Sequence, residues 1–414
     1  MGHRSWMYVA PAAFVLSYGG NQFTPLLAMY RDLAGYSSAE VNLFLAMYVV
    51  GLVPGFLVVG QASLRWGRRR VMLAGLVTGL MASGVLAASL NQPAFLCIGR
   101  LLVGVSVAIA LVVGTAWIDD LTPPTAARGT AARRAAMTLT AGFGAGAGVA
   151  GTLAQWGPSP HVTPYVVHLV LGALAMPSLV RAPDPAQRTP GSRLAPDLRL
   201  PGRSRHRFDL VVLTTAPWVF ASAGLAYAIV PELVATRTAS LAVAFATLLT
   251  VLMLGSGVLA QRVAGRLHVR LRGWELVLGM SLMTAGAAMV ALETAARSLV
   301  LAVGAAVVLG AAYGVTVVAG LVEVRAMAAA EQLPGLTGIF YALTYVGFAL
   351  PAALATVEHA VSYAASLTLV SLACATCTAV AAVGLRSTRP AWLDYDERAG
   401  SPPVSSGKSS SRHS

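Results

Sequence analysis

Charge is scarce in this chain. Asp, Glu, Lys and Arg make up 11% of its 414 residues, where a soluble domain carries about 25%. So few charges cannot cover a water-facing surface, which excludes an ordinary soluble globular protein. Lysine is nearly absent: Lys408 is the single example, and arginine supplies the rest of the basic residues. The cysteines are Cys97, Cys374 and Cys377, too few for a disulfide framework. Cys374 and Cys377 form a C-x-x-C, but Ala, Thr, Val and Leu surround it. It reads as small buried packing, not as a redox or metal centre. His-Glu-x-x-His, a Ser/His/Asp grouping and a Walker-type glycine loop are all missing. Zinc or serine hydrolysis and ATP-driven pumping lose their chemistry with them. No enzyme activity, cofactor or metal is expected.

What is present is apolar sequence. Hydrophobic residues make up 57% of the chain and the mean hydropathy is +0.71. Lipid is therefore the expected solvent, and a lipid span needs about 20 apolar residues in a helix. Twelve segments qualify: 6–29, 41–62, 71–90, 95–118, 135–155, 164–181, 209–231, 239–260, 274–293, 298–321, 335–356 and 361–385. The fold class is thus an all-α membrane protein of twelve transmembrane helices. The first segment is expected to be a retained helix. Its apolar stretch is too long for a signal peptide, and no small-residue cleavage site leads into a soluble domain.

Arginine sets the expected orientation. With both termini inside, the outer loops hold only Arg31, Arg237 and Arg297, and Arg100 alone lies within a span. All other basic residues fall on the inner side, in accord with the positive-inside rule. This also accounts for the net charge of +13 without nucleic-acid binding. The chain is expected to be a multi-pass protein of the cytoplasmic membrane, with lipids as partners, and monomeric.

Residues 182–208 are rich in Pro and Arg without apolar periodicity, and read as a cytoplasmic linker. Residues 386–414 read by composition as a disordered tail. The division is an N-terminal six-helix bundle (1–181), the linker, a C-terminal six-helix bundle (209–385) and the tail. An internal repeat supports it. The stretch GQASLRWGRRR (60–70) follows the second span, and GVLAQRVAGR (257–266) follows the eighth. Gly60 leads to Arg65 and Gly257 to Arg262, five residues on in each case, and a Gly-Arg pair follows both. Two six-helix bundles related by pseudo-two-fold symmetry are a transporter design.

These motifs resemble those of the major facilitator superfamily over residues 6–385. The family pattern after its second helix, close to Gly-x-Leu-Ala-Asp-Arg-x-Gly-Arg-Arg, is met by Gly60, Arg65, Gly67, Arg68 and Arg69. Ala62, Ser63 and Leu64 depart from it. Arg100 and Gly104 resemble the fourth-helix Arg-x-x-x-Gly pattern. The stretch Asn21–Leu27 (NQFTPLL) resembles a first-helix signature of the drug-efflux branches. Gly142, Gly146 and Gly151 fit part of the antiporter signature, with Ala147 in place of its Pro and Ala150 in place of one Gly.

The resemblance implies an inner latch in which Arg68 pairs with Asp119 or Asp120 at the end of the fourth span. Glu323 at the end of the tenth span offers a parallel, with Arg262 or Arg266 as partner; Arg325 or water are the alternatives. A charge within a span costs roughly 2.5–3.5 kcal/mol on insertion scales. Arg100 therefore reads as a cavity residue that binds an anion or tunes a proton carrier, or as an arginine reaching the outer interface. Asn21, Gln22, Trp117, Tyr227, Tyr313, Tyr341 and Tyr345, with Tyr18, are candidates to line a substrate cavity, or to pack. No acid lies mid-span. The proton-coupling candidates are therefore Asp32, Glu232 and His168, alongside Arg100; each also fits a structural role. The resemblance implies a secondary active transporter. An acid-poor interior suits proton-driven export of small, largely apolar molecules such as drugs or secondary metabolites. A proton-coupled nutrient importer and a non-transporting membrane scaffold are the alternatives.

Overall fold

The computed structural model describes residues 5–127, 129–184, 202–238, 241–271, 273–328, 332–357 and 361–387. Residues 185–201 of the expected linker and 388–414 of the expected tail fall outside the described residues, while 202–208, read as linker, are helical and lead into the seventh span. Every regular element among the described residues is helical. Lipid demands this, because a helix pairs its backbone polar groups within one segment.

The first span is α1 (Ala10–Asn21), a 3-10 turn at Thr24–Leu26 and α2 (Leu27–Ala34). Pro25 has no N–H to give, so the helix is interrupted there. The second is α3 (Ser38–Trp66), opened by a reciprocal capping box between Ser37 and Glu40. Gly67 alone separates it from the third span, α4 (Arg68–Ala88). Its φ of 92° suits glycine, which has no Cβ to clash. The fourth span is α5 (Pro93–Ile109), a π turn at Ala110–Gly114 and α6 (Thr115–Asp120). The fifth and sixth are α7 (Thr130–Trp156) and α8 (Thr163–Arg181).

The second half opens with α9 (Gly202–Arg207). The seventh span continues from it through a π turn at Phe208–Val212, α10 (Leu213–Gly224), a second π turn at Leu225–Ile229 and α11 (Val230–Leu233). A short α12 (Ala235–Thr238) follows. The next three spans are α13 (Ala242–Leu271), α14 (Glu275–Ala296) and α15 (Leu299–Met327). The eleventh is α16 (Leu333–Val346), a 3-10 turn at Gly347–Ala349 and α17 (Leu350–Val357). The twelfth is α18 (Tyr363–Ser387). Among the described residues, 9 of these stretches are long and apolar enough by themselves to cross a membrane. The first and eleventh fall short because 3-10 turns break them, and α7 because Gly, Ala and Thr dilute it.

The two halves pack by one plan. α3 lies on α5, and α13 on α15; α4 lies on α8, and α14 on α18; α1 lies on α7, and α10 on α16. A shift of six spans turns each first pair into the second. Glycine makes the closest of these contacts. A Cβ on Gly104 of α5 would collide with the Tyr48 carbonyl of α3, and one on Gly314 of α15 with the Gly257 carbonyl of α13. Between the halves, α7 packs on α13 and α3 on α16. Arg65, Arg68, Arg69 and Arg70 mark one end of the bundle as its arginine-rich end.

Candidate functional site

Among the described residues, two cavities lie on the boundary between the halves. The central one is about 30 Å³, far below the roughly 300–1,000 Å³ of ligand pockets. The first half supplies Asn21, Thr24, Leu45, Tyr48, Arg100 and Phe143; the second supplies Phe220, Tyr227, Leu254, Tyr345 and Phe348. The break in the first span serves this site. It places Asn21 and Thr24 at the wall, where Thr24 Oγ1 donates to Asn21 Oδ1 at 2.9 Å and Asn21 Nδ2 donates to the Phe143 carbonyl at 3.2 Å.

Arg100 is the charged member of the wall and is 2% exposed. Its Nε donates to the Phe44 carbonyl at 3.3 Å. Its guanidinium carbon lies 4.5 Å from the Phe23 ring centroid and 4.6 Å from that of Tyr48. Such cation–π contacts reach about 2 kcal/mol each when desolvated, which offsets much of the cost of a cation at membrane depth. Nη1 is buried with no hydrogen-bond partner. No ion pair among the described residues reaches Arg100. Tyr48 and Tyr345 join their hydroxyls at 2.9 Å across the boundary, and the Phe220 ring lies 4.3 Å from that of Tyr345.

The second cavity, about 590 Å³, lies at the arginine-rich end. Thr115, Asp119, Ala132, Val322, Arg325 and Thr337 are among its lining residues. Asp119 and Arg325 bring charge to its wall, and further ion pairs lie at the same end. Arg68 Nε meets Asp120 Oδ2 at 3.0 Å, and Arg68 Nη1 donates to Ser63 Oγ at 2.6 Å. Ser63 in turn donates to the Gly60 carbonyl at 2.7 Å. Gly60 packs on Pro334 of α16. Arg325 Nε meets Asp119 Oδ2 at 2.9 Å, from one half to the other. Arg69 donates twice to the Ala182 carbonyl, at 3.1 and 2.6 Å.

The candidates divide accordingly. Asn21, Arg100, Tyr227 and Tyr345 line the central cavity. Tyr313 and Tyr341 stand on the boundary but outside that wall, with their hydroxyls bonded to Thr140 at 3.2 Å and Thr115 at 3.4 Å. Gln22 turns into the first half instead. It donates to Ser83 at 3.1 Å, Ser83 meets His168 Nδ1 at 2.7 Å, and His168 Nε2 meets the Val15 carbonyl at 2.9 Å. Tyr18 stacks on the His168 ring with centroids 5.8 Å apart. Both His168 ring nitrogens are thus engaged away from either cavity. Trp117 is buried and donates to the Pro183 carbonyl at 2.8 Å. Glu232 lies in α11 and is not among the residues lining either cavity. The Asp32 side chain is outside the described residues.

One pairing is corrected. Glu323 takes neither Arg262, Arg266 nor Arg325. It takes Arg207, through Nε at 2.7 Å and Nη2 at 2.8 Å, and both residues are buried. The reason is helical phase. On α13 the buried position is Gln261, which donates to Thr140 at 2.9 Å. Arg262 comes one residue later, about 100° around the helix, and is exposed. Arg65 is likewise exposed, and its guanidinium lies 5.7 Å over Trp66. The motif reading missed Tyr48, Phe220, Phe348 and Arg207. Phe44, Tyr48, Leu52 and Phe56 recur every fourth residue, which marks one buried face, but not which side of it meets a ligand.

The family model of the Major Facilitator Superfamily matches residues 9–350. A comparison with curated proteins gives no match. Among solved structures, the crystal structure of the human organic anion transporter MFSD10 (TETRAN) superposes with a TM-score of 0.69 at 17% identity. The alignment covers 92% of this chain and 100% of that one. That likeness extends to the fold: twelve spanning helices in two six-helix bundles related by pseudo-two-fold symmetry. The protein is a multi-pass membrane transporter, and the chain belongs to the major facilitator superfamily.

Proposed function

We propose that this transporter exports small, largely apolar molecules across the cytoplasmic membrane by proton-coupled alternating access, as a monomer. The observation that carries the reading is the central cavity. Half of its lining residues are aromatic and the wall is drawn from both halves, so relative motion of the halves would open and close it. The contacts that join the halves suit such motion. They include neutral bonds such as Tyr48–Tyr345, Thr140–Tyr313 and Gln261–Thr140, each worth about 1 kcal/mol net.

In this reading residues 1–181 and 209–385 move as two bodies, joined by the linker 182–208, with the tail 386–414 beyond. The arginine-rich end faces the cytoplasm, as the positive-inside rule requires. Arg68–Asp120 and Asp119–Arg325 hold that end together when the cavity opens outward. The coupling proton is carried by one of Asp32, His168 and Glu232, with Arg100 taking part through its charge. The experiment is accumulation of a fluorescent lipophilic cargo in cells with and without the protein. Lower accumulation that disappears when the proton gradient is collapsed supports export. Raised accumulation on expression supports the importer reading, and efflux that follows ATP without a gradient overturns proton coupling.

A further inference from the structure

We infer that the central cavity binds the anionic group of its cargo at Arg100, so that the preferred substrates are monoanions with an apolar, aromatic-sized body. This rests on the reading that the central cavity is the transport site, and adds the chemical class. Arg100 brings a full positive charge into the wall, and it has no acid to neutralise it among the described residues. Its Nε is engaged by the Phe44 carbonyl and its faces by Phe23 and Tyr48. Nη1 is the donor left buried and unbonded. The Asn21, Thr24, Tyr48 and Tyr345 side chains of the wall are engaged with other residues, which leaves the Tyr227 hydroxyl as a neutral polar group beside the charge. Asn21 gives its amide to Phe143 and its oxygen to Thr24, and the Tyr48 and Tyr345 hydroxyls bond each other.

A buried, unbonded cationic donor is the costly element of the site, and an anion relieves it. A neutral molecule would leave the charge uncompensated, and a cation would add repulsion. The guanidinium fork matches a carboxylate in particular. Phe220, Tyr345 and Phe348 cluster beside it, with ring centroids 4.3 to 6.2 Å apart. They offer the body of the ligand aromatic surface. At about 30 Å³ the cavity is too small for an aromatic-sized body, so such cargo enters only as the halves part.

The test uses the full chain in lipid nanodiscs and follows thermal stabilisation by 2-naphthoate, benzoate and octanoate. The neutral 2-naphthamide, 2-naphthylmethylammonium and sodium chloride serve as comparisons. At least one carboxylate is expected to stabilise the protein with an affinity at least tenfold above its neutral or cationic analogue and above chloride. Arg100→Gln is expected to lose at least tenfold in that affinity, Arg100→Lys less, and Phe220→Ala to weaken the aromatic carboxylates more than octanoate. The inference is overturned if none of the carboxylates stabilises the wild type, if the amide or ammonium matches naphthoate, if chloride accounts for the effect, or if Arg100→Gln binds naphthoate as the wild type does. Should Arg100→Gln fail to fold, Arg100→Lys and the wild-type series decide. The two readings separate cleanly. Gradient-driven export of a neutral cargo without carboxylate binding sinks the inference and leaves export standing. Arg100-dependent carboxylate binding without gradient-driven efflux does the reverse.

Discussion

Asp119 in α6 accepts a charge-assisted bond of 2.9 Å from Arg325 in α15, and the two belong to opposite halves of the molecule. The pair borders the larger cavity, so it ties the halves at the arginine-rich end. Arg325 is 52% exposed on its side chain, and an exposed pair adds at most about 1 kcal/mol to stability. Its influence is therefore expected on the position of the halves rather than on folding. Asp119→Asn should leave the melting temperature nearly unchanged. It should raise the labelling rate of a cysteine at Thr337, a buried lining residue, by up to about fivefold. The background for this measurement replaces Cys97, Cys374 and Cys377. An unchanged labelling rate would show that the pair does not hold this end closed.

Arg68 and Arg70 stand two residues apart in different surroundings. Arg68 is 3% exposed and serves both Asp120 and Ser63, whereas Arg70 is exposed. Arg68→Ala removes two hydrogen bonds of a charged group and should cost about 1.5–3 kcal/mol. Arg70→Ala should stay within about 0.5 kcal/mol. Thermal melts and efflux rates should both rank Arg68→Ala as the worse variant. Equal effects would mean that these arginines act only as topological markers.

Gly104 and Gly84 test the helix contacts. An added Cβ at Gly104 meets the α3 backbone, while at Gly84 it meets nothing within 4 Å. Gly104→Ala must push two helices apart and should cost about 1–3 kcal/mol. Gly84→Ala should be neutral or stabilising by up to about 1 kcal/mol, through helix propensity. Melting of the two purified variants checks this, and a Gly104→Ala protein as stable as the wild type would show that the α3–α5 contact gives way freely.

Tyr48 and Tyr345 share one hydroxyl bond between the halves. Tyr48→Phe and Tyr345→Phe should each cost about 1 kcal/mol, because each leaves its partner hydroxyl unbonded in a buried place. The double variant should cost no more than either single one, a coupling of about 1 kcal/mol in the cycle. Additive effects in melting would show that the two hydroxyls do not depend on each other.

Much of this architecture is legible in the sequence because lipid imposes long apolar runs. The spans, the Gly67 turn and the isolation of Arg100 follow from composition and spacing. Partner choice is not legible. Glu323 meets Arg207 rather than Arg262 because the phase of α13 gives the buried place to Gln261. Gln22 follows Asn21 directly, yet one helical step carries it from the cavity wall to Ser83. Such differences of about 100° are decided by packing against neighbours far along the chain, and apolar patterning is blind to them. The bonds between the halves join residues such as Tyr48 and Tyr345, which no local motif connects.

The π turn at Ala110–Gly114 sets the angular relation between the two ends of the fourth span. Arg100 and Asp119 are nineteen positions apart in the chain, which on an unbroken α-helix would set them about 100° out of line. A π turn absorbs about one extra residue, and that rotation is nearly cancelled. The irregular turn thus works as a phase corrector: it lets one helix present its cavity arginine and its boundary-spanning acid toward the same side. Turning this segment into a regular α-helix at its present length would rotate one side chain about 100° away from the other, whereas deleting one residue with the π turn would keep them in line, eighteen positions apart.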